Sequence, residues 1–410
     1  MKSGTRVLAA LVVAMLLGFL AAASGSAPLL AWVDRLIPVG SLWVSAIRMT
    51  VIPLVVALVI TGVAAAADEG GMSKVGARTI TVFIAMLAAV AALAVPLAPL
   101  AFASLAPNDV KSLPPGAAEA AQQLGSGSGA TSLAAWVQSL LPVNPVAAAA
   151  NGAMLQLVLF TIFFAIAVAQ LPRERRDPVL QLFRGVGDAM QVIVRGVIAL
   201  APIGVFALVL PLAAHAGTSF VGAIGLYIVV YSMACMLATL LLYPAVVLTT
   251  GIPLRRFASA LFPVQMIAFT SSSSAASLPA MVEAVNGPLA LPSRAGSFVV
   301  PLAVSTFKLA SPVAWAIGAC FIGWFYGIPL HTQQFAVIAF AAVFLSFAAP
   351  GVPNGAFLLL TPLFVQIGLP AEGIGVLIAL DAIPDRFSTV LNATGDVAAA
   401  AIVIGRQSKA

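Results

Sequence analysis

The chain has 410 residues, of which 62% are hydrophobic and only 8% are charged, and its formal net charge is +6. Because soluble domains usually carry about a quarter charged residues, this composition excludes an ordinary soluble protein and predicts an integral membrane protein in a lipid bilayer. The basic residues lie in short loops, where the positive-inside rule accounts for them without nucleic acid as a partner. The two cysteines, Cys235 and Cys320, lie in apolar stretches and indicate neither a disulfide framework nor a metal site.

Apolar stretches long enough to cross a bilayer, about 20 residues each, predict eight membrane spans. In chain order they cover residues 7–24, 40–66, 79–105, 145–171, 181–212, 222–250, 297–326 and 372–404. The first follows Lys2 and Arg6 as a signal peptide does, but the hydrophobic stretches after it favour a membrane helix. Residues 106–133, rich in Pro, Gly and Ser, predict a flexible external loop.

The basic residues also predict the topology, because short cytoplasmic loops are enriched in Lys and Arg. The clusters are Lys2 with Arg6, Lys74 with Arg78, the four residues Arg173, Arg175, Arg176 and Arg184, Arg255 with Arg256, and Arg406 with Lys409. All of them face the cytoplasm if both termini are cytoplasmic and two further apolar segments each enter and leave the membrane on one side. We expect a multi-pass protein of the inner (plasma) membrane.

Those two segments, residues 257–284 and 333–369, are predicted to be re-entrant helical hairpins. The first breaks at Ser271-Ser272-Ser273-Ser274 and the second at residues 350–355, Pro-Gly-Val-Pro-Asn-Gly. Non-helical backbone at membrane depth is tolerated where protein or a watery cavity satisfies it, and transporters build ion and substrate sites from broken helices. A Ser-rich linker and a simple proline kink are the alternatives. The paired hairpins indicate an all-α fold with an inverted repeat.

The last stretch carries a row of polar residues. At about 100° per residue, six polar residues of this stretch fall on one helix face: Asp381, Asp385, Ser388, Thr389, Asn392 and Asp396. Arg386 is expected to point away from that face. A solvated face is the alternative, but the rest of the helix is mostly Ala, Val, Leu and Ile, which favours an internal polar site.

Lys308 lies in the middle of the seventh span, where an unpaired charge costs at least about 2.5 kcal/mol. Asp381 and Asp396 are its nearest candidate partners by residue type. We therefore expect the Lys308 ammonium to neutralise the carboxylate cluster.

Several short motifs occur together in this chain. They are the serine run ending in Ser277-Leu278-Pro279, Gly351-Val352-Pro353, Asp385 followed by Asn392-Ala393-Thr394-Gly395-Asp396, residues 201–208, and Asn144-Pro145 with Asn151-Gly152. In these motifs and their order the chain resembles the dicarboxylate/amino acid:cation symporters, the glutamate transporter family, over nearly its whole length.

The resemblance implies a homotrimer whose protomers work by an elevator mechanism. Residues 1–78 would form scaffold spans 1 and 2, residues 79–105 the third span within the transport domain, residues 106–220 the external loop and scaffold spans 4 and 5, and residues 221–410 the rest of the transport domain. The second hairpin would be the gate, with its tip at Gly351, Val352 and Pro353.

The resemblance also implies roles for individual residues. Asp385 would hold the substrate amino group, Asn392 would bind the α-carboxylate, and Asp396 would be a cation-site carboxylate. The remaining residues of the implied substrate site are Ser273, Ser274, Ser311, Val352, Ser388 and Thr389.

Two departures from the family pattern concern the coupling ion. Where the seventh span of the family reads Asn-Met-Asp-Gly-Thr, this chain reads Phe307-Lys308-Leu309-Ala310-Ser311, and the third span is apolar at residues 86–91. Sodium needs hard oxygen ligands, which apolar side chains cannot supply. We expect transport without sodium and without any other cofactor, either coupled to protons or uncoupled, with Lys308, Asp381 and Asp396 as the counter-ion set and Asp385 as a further proton carrier.

A third departure concerns the substrate. Members that carry acidic substrates have an arginine where this chain has Ser388, and others have one where it has Ser272. A guanidinium grips a carboxylate in bidentate fashion and a serine does not, so a small neutral amino acid is favoured. A sodium- or proton-coupled glutamate, aspartate or dicarboxylate symporter is the alternative. A channel or an intramembrane enzyme is a remote one, because no serine has a nucleophile-turn motif.

Overall fold

The computed structural model describes residues 3–68, 74–103, 141–151, 153–216, 219–348 and 355–405. Over these ranges the backbone is helical and contains no strand. The helices of the N-terminal half are α1 (Ser3–Ser24), α2 (Ala27–Asp34), α3 (Ile37–Asp68), α4 (Lys74–Phe102), α5 (Pro145–Ala150), α6 (Met154–Ala169), α7 (Arg173–Ala199) and α8 (Ala201–Ala216).

The C-terminal half contains several broken helices. It comprises α9 (Ser219–Thr250), α10 (Leu254–Ser271), α11 (Ser274–Asn286), a π-helical turn (Ala295–Val299), α12 (Val300–Thr306), α13 (Ser311–Phe325), α14 (Thr332–Phe344), a 3-10 turn (Leu345–Ala348), α15 (Gly355–Gln366), α16 (Gly373–Leu380) and α17 (Pro384–Gly405).

The prediction of a polytopic helical membrane protein is confirmed, but eight continuous spans are not. Within the described ranges, five helices are long and apolar enough to cross a bilayer, and a bent pair brings the number to six. The five are Ala27–Gly62, Val75–Phe102, Gly222–Thr250, Ala295–Phe325 and Pro384–Ile404. The predicted spans 7–24 and 145–171 correspond to shorter apolar helices, Ala9–Ser24 and Gln156–Ala169.

The predicted fifth span, 181–212, is not one straight helix. α7 ends at Ala199, and α8 continues from Ala201 at an angle of 52°. The bend lies beside Pro202, which supplies no N–H and disfavours helical conformation in the residue before it.

The predicted last span, 372–404, is also broken. α16 ends at Leu380, a turn occupies residues 381–383, and α17 begins at Pro384. Proline suits the first helical position, where its missing N–H is no loss. The expectation that Asp381 shares one continuous helix with Asp396 is therefore wrong, because Asp381 belongs to the turn before α17.

The helices of the N-terminal half pack around α3 and α8. α3 contacts α6, α7 and α8, and α1 lies along α8. Gly18 allows the close approach of α1, since a Cβ there would lie 2.6 Å from the Ala213 Cβ and 2.8 Å from the Leu210 carbonyl oxygen. Trp43 of α3 donates from Nε1 to the Val197 carbonyl oxygen at 2.9 Å, which ties α3 to the end of α7.

α17 occupies the centre of the C-terminal half. It packs against α4, α9, α10, α11 and α12, and most of its residues from Leu391 onward are buried. Arg78 of α4 donates to the Ile402 carbonyl oxygen at 3.0 Å near the end of α17. The side chains of Ser388, Thr389, Thr394 and Asp396 on α17 are thus enclosed by protein.

The division into a scaffold and a transport domain stays a prediction, because helix packing in one structure does not show which helices move together. The expected gate residues Gly351, Val352 and Pro353 lie outside the described residues, as do the whole 106–133 stretch and residues 406–410.

Candidate functional site

The serine run forms a turn between two packed helices, as the sequence predicts. Ser272 caps α10 in the left-handed conformation, with φ 50° and ψ 39°. Ser273 caps α11, its hydroxyl accepting from the Ala276 N–H at 3.2 Å, and the Ser271 hydroxyl accepts from the Ser273 N–H at 3.2 Å. The four serines of the turn are partly buried, and Ala275 and Ala276 after them are exposed.

The seventh span opens between α12 and α13. Phe307 is extended, with φ −120° and ψ 107°, and Pro312 lies in the first turn of the helix that follows. The Ala310 N–H donates to Asn392 Oδ1 on α17 at 2.8 Å. This break brings backbone polar groups next to the last helix.

Lys308 lies in this break and is 8% exposed. Its ammonium donates to the Val304 carbonyl oxygen one turn back on α12. Asp396 is 0% exposed, and neither of its carboxylate oxygens has a hydrogen-bond partner. The two side chains are close enough for their charges to interact but do not form a direct ion pair. Neutralisation of the carboxylates by Lys308 stays a prediction.

The first turn of α17 groups Asp385, Ser388 and Thr389. The Ser388 hydroxyl donates to the Asp385 carbonyl oxygen at 3.1 Å and approaches its Oδ1 at 3.4 Å, and Thr389 lies beside the same carboxylate. Ser388 and Thr389 are buried and Asp385 is partly buried. The group supplies an anionic acceptor at the edge of the protein interior.

Asp381 lies outside this helix but in a polar environment of its own. It is buried, and its Oδ1 has no hydrogen-bond partner. Tyr227, Tyr231 and Cys235 of α9 lie close enough to interact with its charge. The Tyr227 hydroxyl also lacks a partner. Sequence reasoning missed these α9 residues, because nothing in a long apolar span marks which turn faces Asp381.

Gln265 is a second residue that sequence reasoning missed. From α10, its Nε2 donates to the Tyr243 hydroxyl at 2.9 Å and to the Thr394 hydroxyl at 3.0 Å. The amide thereby joins α9, α10 and α17. The sequence signal that could have identified Gln265 is that it is a lone amide in an apolar arm of the predicted hairpin.

Two further predicted residues have distinct positions. Ser311 is buried at the start of α13, and its hydroxyl has no hydrogen-bond partner. Arg386 is exposed, and its guanidinium lies 5.8 Å from the centre of the Phe269 ring on α10. It points away from the buried face of α17, although its charge is near enough to act on Asp385.

The site as a whole is an asymmetric set of carboxylates, hydroxyls and one amide between the α12–α13 break, α17 and the serine turn. The structure joins Ala310 to Asn392 and places Lys308 near Asp396, and it groups Asp385 with Ser388 and Thr389. Transporters build substrate and ion sites from polar groups beside helix breaks of this kind.

The profile of the sodium:dicarboxylate symporter family matches residues 4–405. The proton/glutamate-aspartate symporter of Escherichia coli (strain K12) is 29% identical over 90% of this chain and 85% of its own length. The proton/sodium-glutamate symport protein of Bacillus subtilis (strain 168) is 29% identical over 89% of this chain and 85% of its own length.

A human protein named neutral amino acid transporter B(0) is 27% identical over 89% of this chain and 72% of its own length. These relatives are symporters and transporters, not enzymes. Together with the apolar helices and the internal polar site, the match shows that this chain belongs to the sodium:dicarboxylate symporter family and is a secondary transporter.

Proposed function

We propose that this transporter carries a small neutral amino acid without sodium. The proposal of a neutral substrate rests on Ser388, which is buried near the start of α17. The family's acid-binding members are expected to have an arginine at this position. The Ser388 hydroxyl is already engaged with Asp385. A serine offers a single donor, whereas a side-chain carboxylate in a dry site needs a charged, bidentate partner.

The two ends of an α-amino acid have matching partners on α17. Asp385 is the anionic acceptor for the substrate ammonium. Asn392 Oδ1 accepts from the Ala310 N–H, so the amide NH₂ of Asn392 is fixed on the opposite side and serves as a donor to the α-carboxylate. The hydroxyl of Thr389 and the backbone at Ser273, Ser274 and Val352 complete the proposed site.

Sodium independence rests on what fills the α12–α13 break. The ammonium of Lys308 lies there and occupies the Val304 carbonyl oxygen. On the side of α4, Phe83 stacks on Phe307 with ring centres 4.3 Å apart. An aromatic stack and a fixed ammonium disfavour a sodium ion, which requires several hard oxygens around it. Coupling is then to protons, carried by Asp381, Asp385 or Asp396, or absent.

The remaining parts of the proposal follow the family. The protein would be a homotrimer in the inner membrane with cytoplasmic termini, and each protomer would move its transport domain against the scaffold. The second hairpin, with Gly351, Val352 and Pro353 at its tip, would be the gate.

An acidic amino acid is the second candidate, and Arg386 is the observation that favours it. This guanidinium follows Asp385 directly and lies over Phe269, at the end of the α10 arm that leads to the serine turn. A change of its rotamer toward the serine turn would place a cation near the substrate. The curated relatives named as glutamate symporters keep this candidate open.

Ligand-induced thermal stabilisation separates the candidates, since a ligand that binds the folded state raises its apparent stability. Purified protein is heated with a panel of amino acids, in sodium chloride and in choline chloride. We expect serine or alanine to raise the midpoint equally in both salts, and glutamate and aspartate to have little effect. A larger shift with aspartate overturns the neutral substrate, and a shift that requires sodium overturns sodium independence.

A further inference from the structure

The first turns of α7 carry a cavity of about 350 Å³ that the transport site does not use. The described residues that line it are Arg173, Arg176, Asp177, Leu180, Gln181 and Arg184, which we call the arginine pocket. Their spacing of three and four positions puts them on one helix face. Leu180 of this face is buried in a small cluster with Ile60, Ala165 and Val168 and so faces α3 and α6. Most of the other lining residues are exposed, namely Arg173, Asp177, Gln181 and Arg184.

The charge of the arginine pocket is positive. Three guanidiniums oppose one carboxylate, that of Asp177, which lies 3.3 Å from the Nε of Arg176. Ion pairs at exposed sites contribute little, and this pair leaves the other two guanidiniums uncompensated by the lining residues. Arg173 and Arg176 also lie in the first turn of a 27-residue helix, where the backbone dipole favours anions.

The positive-inside rule explains why basic residues lie at this end of α7, but not why they share a cavity. Arg175 belongs to the same run and is exposed, yet it does not line the pocket. The convergence of Arg173, Arg176 and Arg184 therefore needs a reason of its own. Guanidiniums in a fixed fork geometry match phosphate oxygens in bidentate fashion.

An aromatic strip begins beside the arginine pocket. Phe183, the residue before Arg184, meets Phe164 of α6 edge to face with ring centres 6.3 Å apart. Phe160, one turn along α6, stacks on Phe164 at 6.1 Å. Phe160 and Phe164 are both more than one-third exposed. The molecule thus presents a cationic pocket and an exposed apolar strip side by side, between α6 and α7.

We propose that the arginine pocket binds the phosphate headgroup of an anionic phospholipid, whose acyl chains lie along the Phe160–Phe164–Phe183 strip. Basic pockets between membrane helices bind lipid phosphates by the same combination of charge and apolar contact. A free phosphate ion would use the same guanidiniums but would gain nothing from the strip. The exposed aromatic rings therefore favour the lipid over the soluble anion.

Lipid titration of the delipidated, full-length protein in detergent tests this site. Bound lipid is counted by native mass spectrometry while phosphatidylglycerol, phosphatidylcholine or inorganic phosphate is added. We expect phosphatidylglycerol to bind best and inorganic phosphate to compete only weakly. If phosphatidylcholine binds equally well, the pocket does not select charge and the proposal is wrong. Inorganic phosphate that displaces the lipid at equal concentration makes the ligand a soluble anion and also overturns it.

Variants tie the binding to the pocket. The double variant Arg173→Gln/Arg184→Gln should raise the apparent dissociation constant for phosphatidylglycerol at least about tenfold, since each basic residue near an anionic headgroup contributes to the attraction. Arg175→Gln removes one charge, from the turn that holds Arg173 but outside the pocket, and should change this constant less than about threefold. Equal losses in the two proteins, or no loss in the double variant, contradict the proposal. Because mass spectrometry counts lipids on folded protein alone, a less stable variant still gives an answer.

Discussion

The Ala310 N–H donates a hydrogen bond of 2.8 Å to the Oδ1 of Asn392, joining positions 82 residues apart. This contact holds the opened backbone of the α12–α13 break against α17. It also fixes the orientation of the Asn392 amide, which is the group proposed to bind the substrate carboxylate. The same side chain therefore stabilises the helix break and is proposed to bind the substrate.

Asn392→Ala should weaken both the stability of the fold and the binding of substrate. The buried Ala310 N–H would lose its acceptor, which costs roughly 1–3 kcal/mol, and the substrate would lose its amide donor. We expect a lower thermal midpoint and a loss of substrate-induced stabilisation. Both are read from one unfolding experiment with and without ligand.

Asn392→Asp is the matched control, because a carboxylate keeps the acceptor for Ala310 but repels the substrate carboxylate. It should restore much of the midpoint without restoring binding. If neither variant loses substrate binding, Asn392 acts only in stabilising the fold.

Lys308→Met should destabilise the protein, because Asp396 would be left without a compensating charge nearby. Because the two side chains do not form a direct ion pair, we expect a loss smaller than the roughly 3–5 kcal/mol that follows removal of one partner of a buried pair. Lys308→Met/Asp396→Asn removes both charges and should recover much of the lost stability. Unfolding midpoints of the two single variants and the double variant form a cycle that measures the coupling. Additive effects, together with unchanged transport and cation dependence in Lys308→Met, would show that Lys308 does not serve the carboxylates.

Ser388→Arg should shift the preference toward acidic amino acids. A guanidinium at this position can bind a side-chain carboxylate, and hydrogen bonds to charged groups contribute about 1.5–3 kcal/mol. Aspartate should then stabilise the variant at concentrations roughly tenfold or more below those needed by the parent. Ser388→Gln controls for side-chain size without charge. If Ser388→Gln gains the same affinity for aspartate, the charge is not responsible.

Gly18→Ala should lower the thermal midpoint, because the new methyl group would meet the Ala213 Cβ and the Leu210 carbonyl oxygen at less than contact distance. Overpacking of this kind costs roughly 1–3 kcal/mol. Gly225→Ala on α9 is the control, since nothing lies within 4 Å of its Cβ position. There the better helix propensity of alanine should leave the midpoint equal or slightly higher. Equal losses at both positions would deny a close α1–α8 contact.

Much of the architecture could be predicted from sequence, because breaks in apolar helices leave visible marks. The serine run and the polar residues of α17 stand out against Ala, Val, Leu and Ile. The bend at Leu200 was not predicted, since apolar residues continue through it. The turn at residues 381–383 was not predicted as a break either, although Pro384 offered a signal for a kink. A proline within an apolar stretch does not reveal whether the helix kinks or ends.

Contacts between distant positions were beyond sequence reasoning. Helical spacing relates residues of one helix, but it cannot relate Gln265 to Thr394, which are 129 positions apart. The placement of Tyr227 beside Asp381 likewise depends on the rotation of α9, which packing determines. Sequence named the candidate residues of the site, and the structure added the contacts that some of them, such as Asn392, make with other helices.

Uptake of labelled amino acid into proteoliposomes tests the central claim most directly. Transport of serine or alanine is measured in sodium-free and sodium-containing media at fixed pH and membrane potential, with unlabelled substrate inside to drive counterflow. We predict saturable counterflow of the neutral substrate at the same rate in both media, with little competition by aspartate. Counterflow that rises steeply with sodium, or that is faster for aspartate than for serine and alanine, would contradict the account.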